Sequence, residues 1–160
     1  MKRTIFLTCL TFLLIGCASN QSSHAQESRS YKIGDAGPAG GIVFYDKGDN
    51  SDGWQYLEAA PSDFEFEANW NSANDMVRLL SINGFTNWRL PDKDELNFMY
   101  LNLKQKGLSG FGNSMYWSST VGSGFLSLTT YYNFGNGFAL VADRFGRGLV
   151  SYKVRAVREF

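Results

Sequence analysis

The positions of the cysteines constrain the fold of this chain more than any other feature. The sequence contains two, Cys9 and Cys17, and none from Ala18 to the C-terminus. A disulfide and a cysteine nucleophile are therefore excluded from that part of the chain. The stretch 31–160 has the size at which one hydrophobic core stabilises a domain. We expect a single domain there that depends on its core alone.

The N-terminal segment has the pattern of a secretory signal. Lys2 and Arg3 precede an apolar run over residues 5–15, which is shorter than the ~20 residues that a membrane span needs. The run ends in Leu-Leu-Ile-Gly-Cys, which resembles the lipobox of bacterial lipoproteins. This resemblance implies that residues 1–16 are removed and that Cys17 carries acyl chains, which anchor the protein to the membrane. The alternative is an ordinary cleaved signal that ends near a cysteine.

Residues 17–30 are polar and rich in Ser and Gln, which predicts a flexible tether between the lipid and the domain at 31–160. Ala18 follows the cysteine where an acidic residue would act as an inner-membrane retention signal. We therefore expect a protein anchored in the cell envelope through Cys17, on the outer membrane or the cell surface.

The composition excludes several classes of function. Basic and acidic residues balance at 15 each, which does not fit a basic nucleic-acid binder. The single histidine, His24, lies in the polar N-terminal stretch, so histidine-dependent catalysis and zinc sites are not expected in the domain. The motifs Ser-x-x-Lys, Gly-x-Ser-x-Gly and Gly-x-Gly-x-x-Gly are absent. No cofactor is predicted.

The first part of the domain is predicted to be a hairpin. Residues 41–46 and 54–59 have strand patterns, and residues 47–53 between them form a turn rich in Asp and Asn. A calcium loop with Gly53 at its sixth position would need acidic residues where Gly48 and Ala59 stand. The turn is therefore predicted to be solvated, without a metal.

Two helices are predicted next. The first has a capping signal at Ser72 and Asp75 and ends at Asn83-Gly84, and the second begins with a capping box at Asp92 and ends at Gly107. Helical spacing predicts buried side chains at Trp70, Ala73, Val77 and Leu80 in the first, and at Leu96, Met99, Tyr100 and Leu103 in the second.

The remaining sequence is predicted to form strands at 115–120, 125–133, 138–142 and 149–157. In the last of these, apolar and polar residues alternate, which indicates one buried face. The order of strands, then helices, then strands predicts an α+β fold with two helices packed on a mainly antiparallel sheet.

An ordered set of motifs in residues 31–45, 88–96, 116–120 and 154–160 resembles the bacterial domain family related to the C-terminal domain of the Lcl collagen-like adhesin. The resemblance covers nearly all of 31–160 and implies a C-type-lectin-like fold, in which the N- and C-terminal strands come together. The Lcl domain is associated with sulfated glycosaminoglycans and with trimers. This chain has no collagen-like repeat and lacks the Glu-Pro-Asn and Trp-Asn-Asp signatures of calcium-dependent lectins.

Two groups of residues are candidates for ligand binding. Aromatic and amide side chains that can stack on sugars and bond to them fall where C-type-lectin-like folds often have binding loops: Tyr131, Tyr132, Asn133 and Asn136. The alternative is that the rings fill the core. Basic residues near the C-terminus can bind an anionic glycan: Arg144, Arg147 and Lys153.

The charge distribution leaves the basic group open to a second interpretation. Residues 144–160 hold five basic residues and one acid, whereas residues 31–143 hold seven basic and thirteen acidic residues. The arginines of the last strands can therefore pair internally with the acidic segment instead of binding a ligand.

The predicted function is a non-catalytic, envelope-anchored binding module for anionic glycans or host matrix. The alternative is an accessory envelope lipoprotein that acts through protein partners. Clustered carboxylates can hydrolyse glycans in principle, but carboxylates in loops are usually solvated, and we do not expect an enzyme. The carboxylates in question are Asp46, Asp49, Asp52, Glu58, Asp63, Glu65 and Glu67.

Overall fold

The structure is a computed structural model that describes residues 29–108, 110–123, 128–142 and 146–160. These residues form eight strands and three α-helices: β1 (Ile42–Asp46), β2 (Tyr56–Ala59), β3 (Phe66–Ala68), α1 (Trp70–Arg78), α2 (Lys93–Met99), β4 (Met115–Val121), β5 (Thr129–Asn133), β6 (Phe138–Ala142), α3 (Gly146–Leu149), β7 (Tyr152–Val154) and β8 (Val157–Glu159). The predicted signal, Cys17 and most of the predicted tether lie outside the described residues. Among the described residues, no helix has the length and apolar character to cross a membrane.

The strands form two sheets. One has the order β1-β2-β8, and the other has the order β3-β7-β4-β5-β6. All neighbouring strands are antiparallel except β4 and β7, which are parallel. The predicted α+β class and the mainly antiparallel pairing are therefore confirmed, but the prediction of a single sheet with two helices is wrong.

The reason for the second sheet lies in the segment that was predicted as one strand over 149–157. The structure divides it into the end of α3, then β7, then β8, and the two strands belong to different sheets. Arg155 and Ala156 lie between them and are both buried, so the predicted alternation of buried and exposed residues fails at Arg155. The Ala60 amide donates to the Ala156 carbonyl and fixes this crossing between the sheets.

Helix α1 begins earlier than its predicted capping signal. The N-cap is Asn69, whose side chain accepts a hydrogen bond from the Ser72 amide, so the prediction of Ser72 as the cap is wrong. Asn and Ser are similarly good N-caps. The predicted buried positions hold, with Ala73 and Val77 fully buried and Trp70 and Leu80 partly buried against the same cluster.

Helix α2 begins at the predicted capping box. The Asp92 side chain accepts hydrogen bonds from the amides of Asp94 and Glu95, and the Glu95 side chain accepts one from the Asp92 amide. A π-helical turn continues the helix to Lys104, and Gly107 follows with a φ of 67°. The predicted inner face is confirmed: it buries Leu96, Met99 and Leu103 fully and Tyr100 partly.

Two apolar clusters form the core. The first centres on Trp117, which is fully buried and whose Nε1 donates to the Ala68 carbonyl at 2.8 Å. The second packs α2 against the three-stranded sheet and against the rings of Tyr116, Tyr132 and Phe134. Aromatic side chains thus fill much of the interior, which is consistent with their high content in the sequence.

A buried carboxylate ties the Gly-rich loop before β1 to the C-terminal strand. Glu58 in β2 has no exposed surface, accepts hydrogen bonds from the amides of Ala39 and Gly41, and pairs with Nη1 of Arg158 in β8. A Cβ atom at Gly37 would lie 2.2 Å from a carboxylate oxygen of Glu58. The loop therefore needs glycine at this position because its backbone packs directly on the carboxylate.

Candidate functional site

The basic residues of the last strands are paired inside the domain. Arg155 is buried; its Nη2 donates to Glu65 Oε2 at 2.8 Å and its Nη1 donates to the Ala60 carbonyl at 2.9 Å. Arg158 pairs with Glu58. The basic residues near the C-terminus were predicted either to bind a ligand or to pair inside the domain. Arg155 and Arg158 pair inside the domain.

The described members of the predicted basic ligand group contact other side chains of the domain. Lys153 Nζ lies 3.4 Å from Glu65 Oε1 and 3.5 Å from Glu67 Oε1. The guanidinium of Arg147 lies 4.8 Å from the ring centroid of Trp70 and its Nε donates to Thr129 Oγ1. Arg144 lies outside the described residues.

The predicted aromatic ligand group is divided between the two faces of β5. Tyr132 is buried in the second cluster, and its hydroxyl lies 2.7 Å from Asn97 Oδ1 and 2.8 Å from the Gly137 carbonyl. Tyr131 is partly buried and packs against the rings of Trp117 and Tyr152. Neighbouring residues of a strand point to opposite faces, so the two tyrosines do not line a common pocket.

The two predicted asparagines organise the turn between β5 and β6. Asn133 Oδ1 accepts from the Gly135 amide at 2.8 Å, and Asn136 Oδ1 accepts from the Phe138 amide at 3.2 Å. Each side chain thereby satisfies the backbone of its own turn.

The carboxylates that were considered for glycan hydrolysis also have structural partners. Glu58 and Glu65 pair with buried arginines, and Asp52 pairs with Lys47 at 2.7 Å. Asp46 accepts from the Gly48 amide and from the Gln55 side chain. Within the described ranges, no group of three His, Cys, Asp or Glu residues is spaced to hold a metal ion.

Burial of tyrosine hydroxyls gives the fold a pH dependence. Burial raises the pKa of Tyr116 well above its ordinary value, and the Glu65 carboxylate, which accepts a hydrogen bond from the Tyr116 hydroxyl, raises it further. Burial also raises the pKa values of Tyr132 and Tyr152. In all three cases the folded state retains a proton that the unfolded chain loses above a pH of about 10.

We therefore expect the free energy of unfolding to fall as the pH rises above about 10, because the unfolded state then binds fewer protons than the folded state. Urea unfolding at several pH values between 9 and 11 measures this. The decline should be shallower in Tyr116→Phe, which has no phenolic proton at this position. An equal slope in the variant and the original chain would contradict the assignment to Tyr116.

A cleft of about 470 Å³ lies where the two ends of the domain meet. Its aromatic walls are formed by Tyr31, Tyr56, Phe85 and Phe160. The rings of Tyr56 and Phe160 stack with centroids 5.4 Å apart, and Tyr31 packs edge-on against both, at 5.3 and 5.1 Å. Backbone hydrogen bonds between residues 56 and 160 hold two of these rings in place.

The guanidinium of Arg158 also lines this cleft. It lies 4.2 Å from the ring centroid of Phe85 and 5.5 Å from that of Phe160. Its Nε donates to Asn87 Oδ1 at 2.8 Å and its Nη1 donates to Glu58. Nη2, which carries two N–H groups, has no hydrogen-bond partner among the described residues and can donate to a ligand.

Amide side chains and one further arginine also line the cleft. Gln55 donates through Nε2 to Asp46 Oδ1, which leaves its Oε1 as an acceptor, and the Asn50 side chain bonds to none of the described residues. The Arg29 guanidinium lies 6.0 Å from the ring centroid of Tyr31. The cleft thus combines flat apolar walls with a few polar groups, the usual chemistry of a small-ligand site.

Sequence reasoning missed this cleft. Tyr31 and Tyr56 are 25 residues apart, and Phe160 ends the chain. Their meeting depends on the pairing of β2 with β8, which no local pattern predicts. The available signal was the resemblance itself, whose first and last motifs contain Tyr31 and Phe160.

No protein-family model matches this chain, and no curated protein matches it.

Proposed function

We propose that this chain is a lipid-anchored, non-catalytic binding module whose aromatic cleft binds a saccharide. In this proposal Cys17 carries the lipid, the domain lies in the cell envelope at the outer membrane or cell surface, and its fold is C-type-lectin-like and related to the Lcl C-terminal domain. The position of β1 and β8, which both flank β2, supports the fold assignment because that fold brings its terminal strands together.

The observation that carries the proposal is the group of rings around Arg158. The C–H bonds on one side of a pyranose ring form an apolar surface that packs on the negative face of an aromatic ring. Arg158, Gln55 and Asn50 also line the cleft, and their unbonded polar atoms can donate hydrogen bonds to the hydroxyl groups of the sugar or accept them. Flat walls and edge hydrogen bonds together suit a sugar.

The lining also supports binding without catalysis. It contains no Asp, Glu, His or Cys among the described residues, so the cleft has no pair of carboxylates for acid–base chemistry. The carboxylates directly adjacent in sequence to its lining also have partners in the fold: Asp49 accepts from the Ser51 amide, Asp52 pairs with Lys47 and Glu159 pairs with Arg89. A ligand in the cleft would be held and not transformed.

We expect Tyr31→Ala to weaken binding to a glycan at least tenfold, because a central aromatic anchor commonly contributes ~2 kcal/mol or more to an interface and 1.4 kcal/mol is tenfold. The full chain purified in detergent is screened on an array of neutral, carboxylated and sulfated glycans. Phe138→Ala is the matched control, since Phe138 is 65% exposed and does not line the cleft. Absence of binding to every glycan class, or an equal loss in both variants, would contradict the proposal.

One observation favours the alternative of a protein partner. Among the described residues, strand β6 is the last strand of its sheet, and its residues Phe138, Leu140 and Val141 are exposed and apolar. An open strand edge of this kind can pair with an extended segment of another protein. If an envelope protein binds there, Val141→Lys will abolish its co-purification, whereas Tyr31→Ala will leave it unchanged.

A further inference from the structure

The cleft lies where the chain leading to Cys17 enters the domain. Arg29 and Tyr31 both line it. The Tyr31 amide lies 3.3 Å from the Tyr56 hydroxyl, and its ring is held against Tyr56 and Phe160, so the entry of the chain is fixed to the wall of the cleft. The N-terminal segment therefore joins the domain at the mouth of the cleft.

Covalent geometry limits the distance between the cleft and the lipid. Twelve residue steps separate Cys17 from Arg29, and whatever their conformation they reach at most about 43 Å. A domain of about 130 residues has a radius of gyration of about 14 Å and is about 35 Å across. If Cys17 is lipidated, the mouth of the cleft lies within about 43 Å of the membrane, a reach only slightly longer than the width of the domain.

The charges of the cleft restrict the ligand further. In the part of the chain that the structure describes, the cations that line it are Arg29 and Arg158, and Arg158 is already neutralised by Glu58. Phosphorylated headgroups and sulfated polysaccharides carry several negative charges. Binding them removes these charges from water, and several unpaired cations are needed to offset that cost. A sugar with no charge, or with one carboxylate opposite Arg29, fits this balance better.

We infer that the ligand is a polysaccharide of the cell's own wall, uncharged or with at most one carboxylate per sugar, bound next to the membrane that holds the lipid. This inference rests on the proposed function. The protein then links the membrane to the wall: the lipid holds one end, and the cleft holds a sugar ring of the polymer within reach of the twelve-residue connection.

The test is sedimentation of the full chain, in detergent, with purified cell-wall sacculi, in parallel with heparin beads and with vesicles of phosphatidylglycerol and phosphatidylcholine. We expect retention by the sacculi, a change of less than about threefold between low and high salt because few charges are involved, and at least tenfold weaker retention for Tyr31→Ala. Gln55→Ala, which leaves the ring cluster intact, should weaken retention in the same direction, and Phe138→Ala should not.

The outcomes distinguish two claims: that the cleft binds a saccharide, and that this saccharide belongs to the cell's own wall. Cleft-dependent retention by heparin or vesicles in place of sacculi would overturn the wall-polymer inference and leave saccharide or anion binding by the cleft intact. Retention by sacculi that is unchanged in both cleft variants would overturn the role of the cleft. Failure on every support, together with a blank glycan array, would overturn the proposed function as well.

A second experiment uses the absence of cysteine after residue 17. Asn50→Cys places the only cysteine after residue 17 at the cleft, as the attachment point of a photoactivated cross-linker in intact cells. We expect a cross-linked product that gives a sharp band on a gel only after treatment with a wall-degrading hydrolase. A product that resists the hydrolase and contains a second protein or a lipid would overturn the inference.

Discussion

Glu58→Ala is expected to lower the free energy of unfolding by about 3–5 kcal/mol, because it leaves a buried guanidinium without its counter-ion. Glu58 has no exposed surface, and Arg158 is 5% exposed. The same change removes the acceptor for the amides of Ala39 and Gly41, which are buried in the loop before β1. Urea unfolding followed by tryptophan fluorescence measures the loss.

Glu67→Ala is the matched control for this prediction. The Glu67 side chain is 61% exposed and pairs with Lys153 at 3.5 Å, so its removal should change the free energy of unfolding by at most about 0.5 kcal/mol. A loss of less than 1 kcal/mol in Glu58→Ala would mean that water reaches Arg158 and that the loop does not depend on the carboxylate. In that case the guanidinium would not be fixed in the cleft either.

Arg155→Met is expected to cause a loss of similar size, about 3–5 kcal/mol, because it breaks the second buried ion pair. Arg155 bonds to Glu65 through two nitrogens and to the Ala60 carbonyl through the third, and its guanidinium lies 4.6 Å from the ring centroid of Phe111. Methionine retains the apolar stem but leaves Glu65 and the Ala60 carbonyl without this donor. The effect should be visible as a lower urea midpoint with an unchanged slope.

Arg78→Met serves as the control for Arg155→Met, since Arg78 is exposed at the end of α1. This control should unfold at nearly the same urea concentration as the original chain. If the two methionine variants are equally stable, the link between β7 and the segment before β3 does not contribute to stability. The division of the C-terminal segment between two sheets would then need another cause.

Local patterns predicted the parts of the fold that depend on neighbouring residues. The capping box at Asp92 and the inner face of α2 involve contacts three or four residues apart, which the sequence displays directly. The cap of α1 was misplaced because Asn69 and Ser72 both fit the N-cap pattern, and only the hydrogen bond from the Ser72 amide to Asn69 distinguishes them. The error is one helical turn, within a helix whose existence was predicted correctly.

The C-terminal segment shows where such patterns fail. Alternation over residues 149–157 predicted a single strand because Arg155 was treated as a solvent-facing residue. Its partner, Glu65, is 90 residues earlier in the chain, and the pair makes it possible to bury the arginine between the two sheets. The uneven distribution of charge suggested that the C-terminal arginines pair with the acidic segment, as Arg155 does with Glu65. It did not predict that the strand is interrupted at Arg155.

The sequence by itself determined the class of the fold, the first two helices, the first hairpin and the absence of cysteine and histidine from the domain, because these follow from residue types and from short-range spacing. Only the tertiary structure decided that there are two sheets, that Glu58 meets Arg158 across 100 residues, and that Tyr31, Tyr56 and Phe160 form one cleft. These contacts depend on which strands pair. Pairing is set by the packing of the whole core, which no window of neighbouring residues contains.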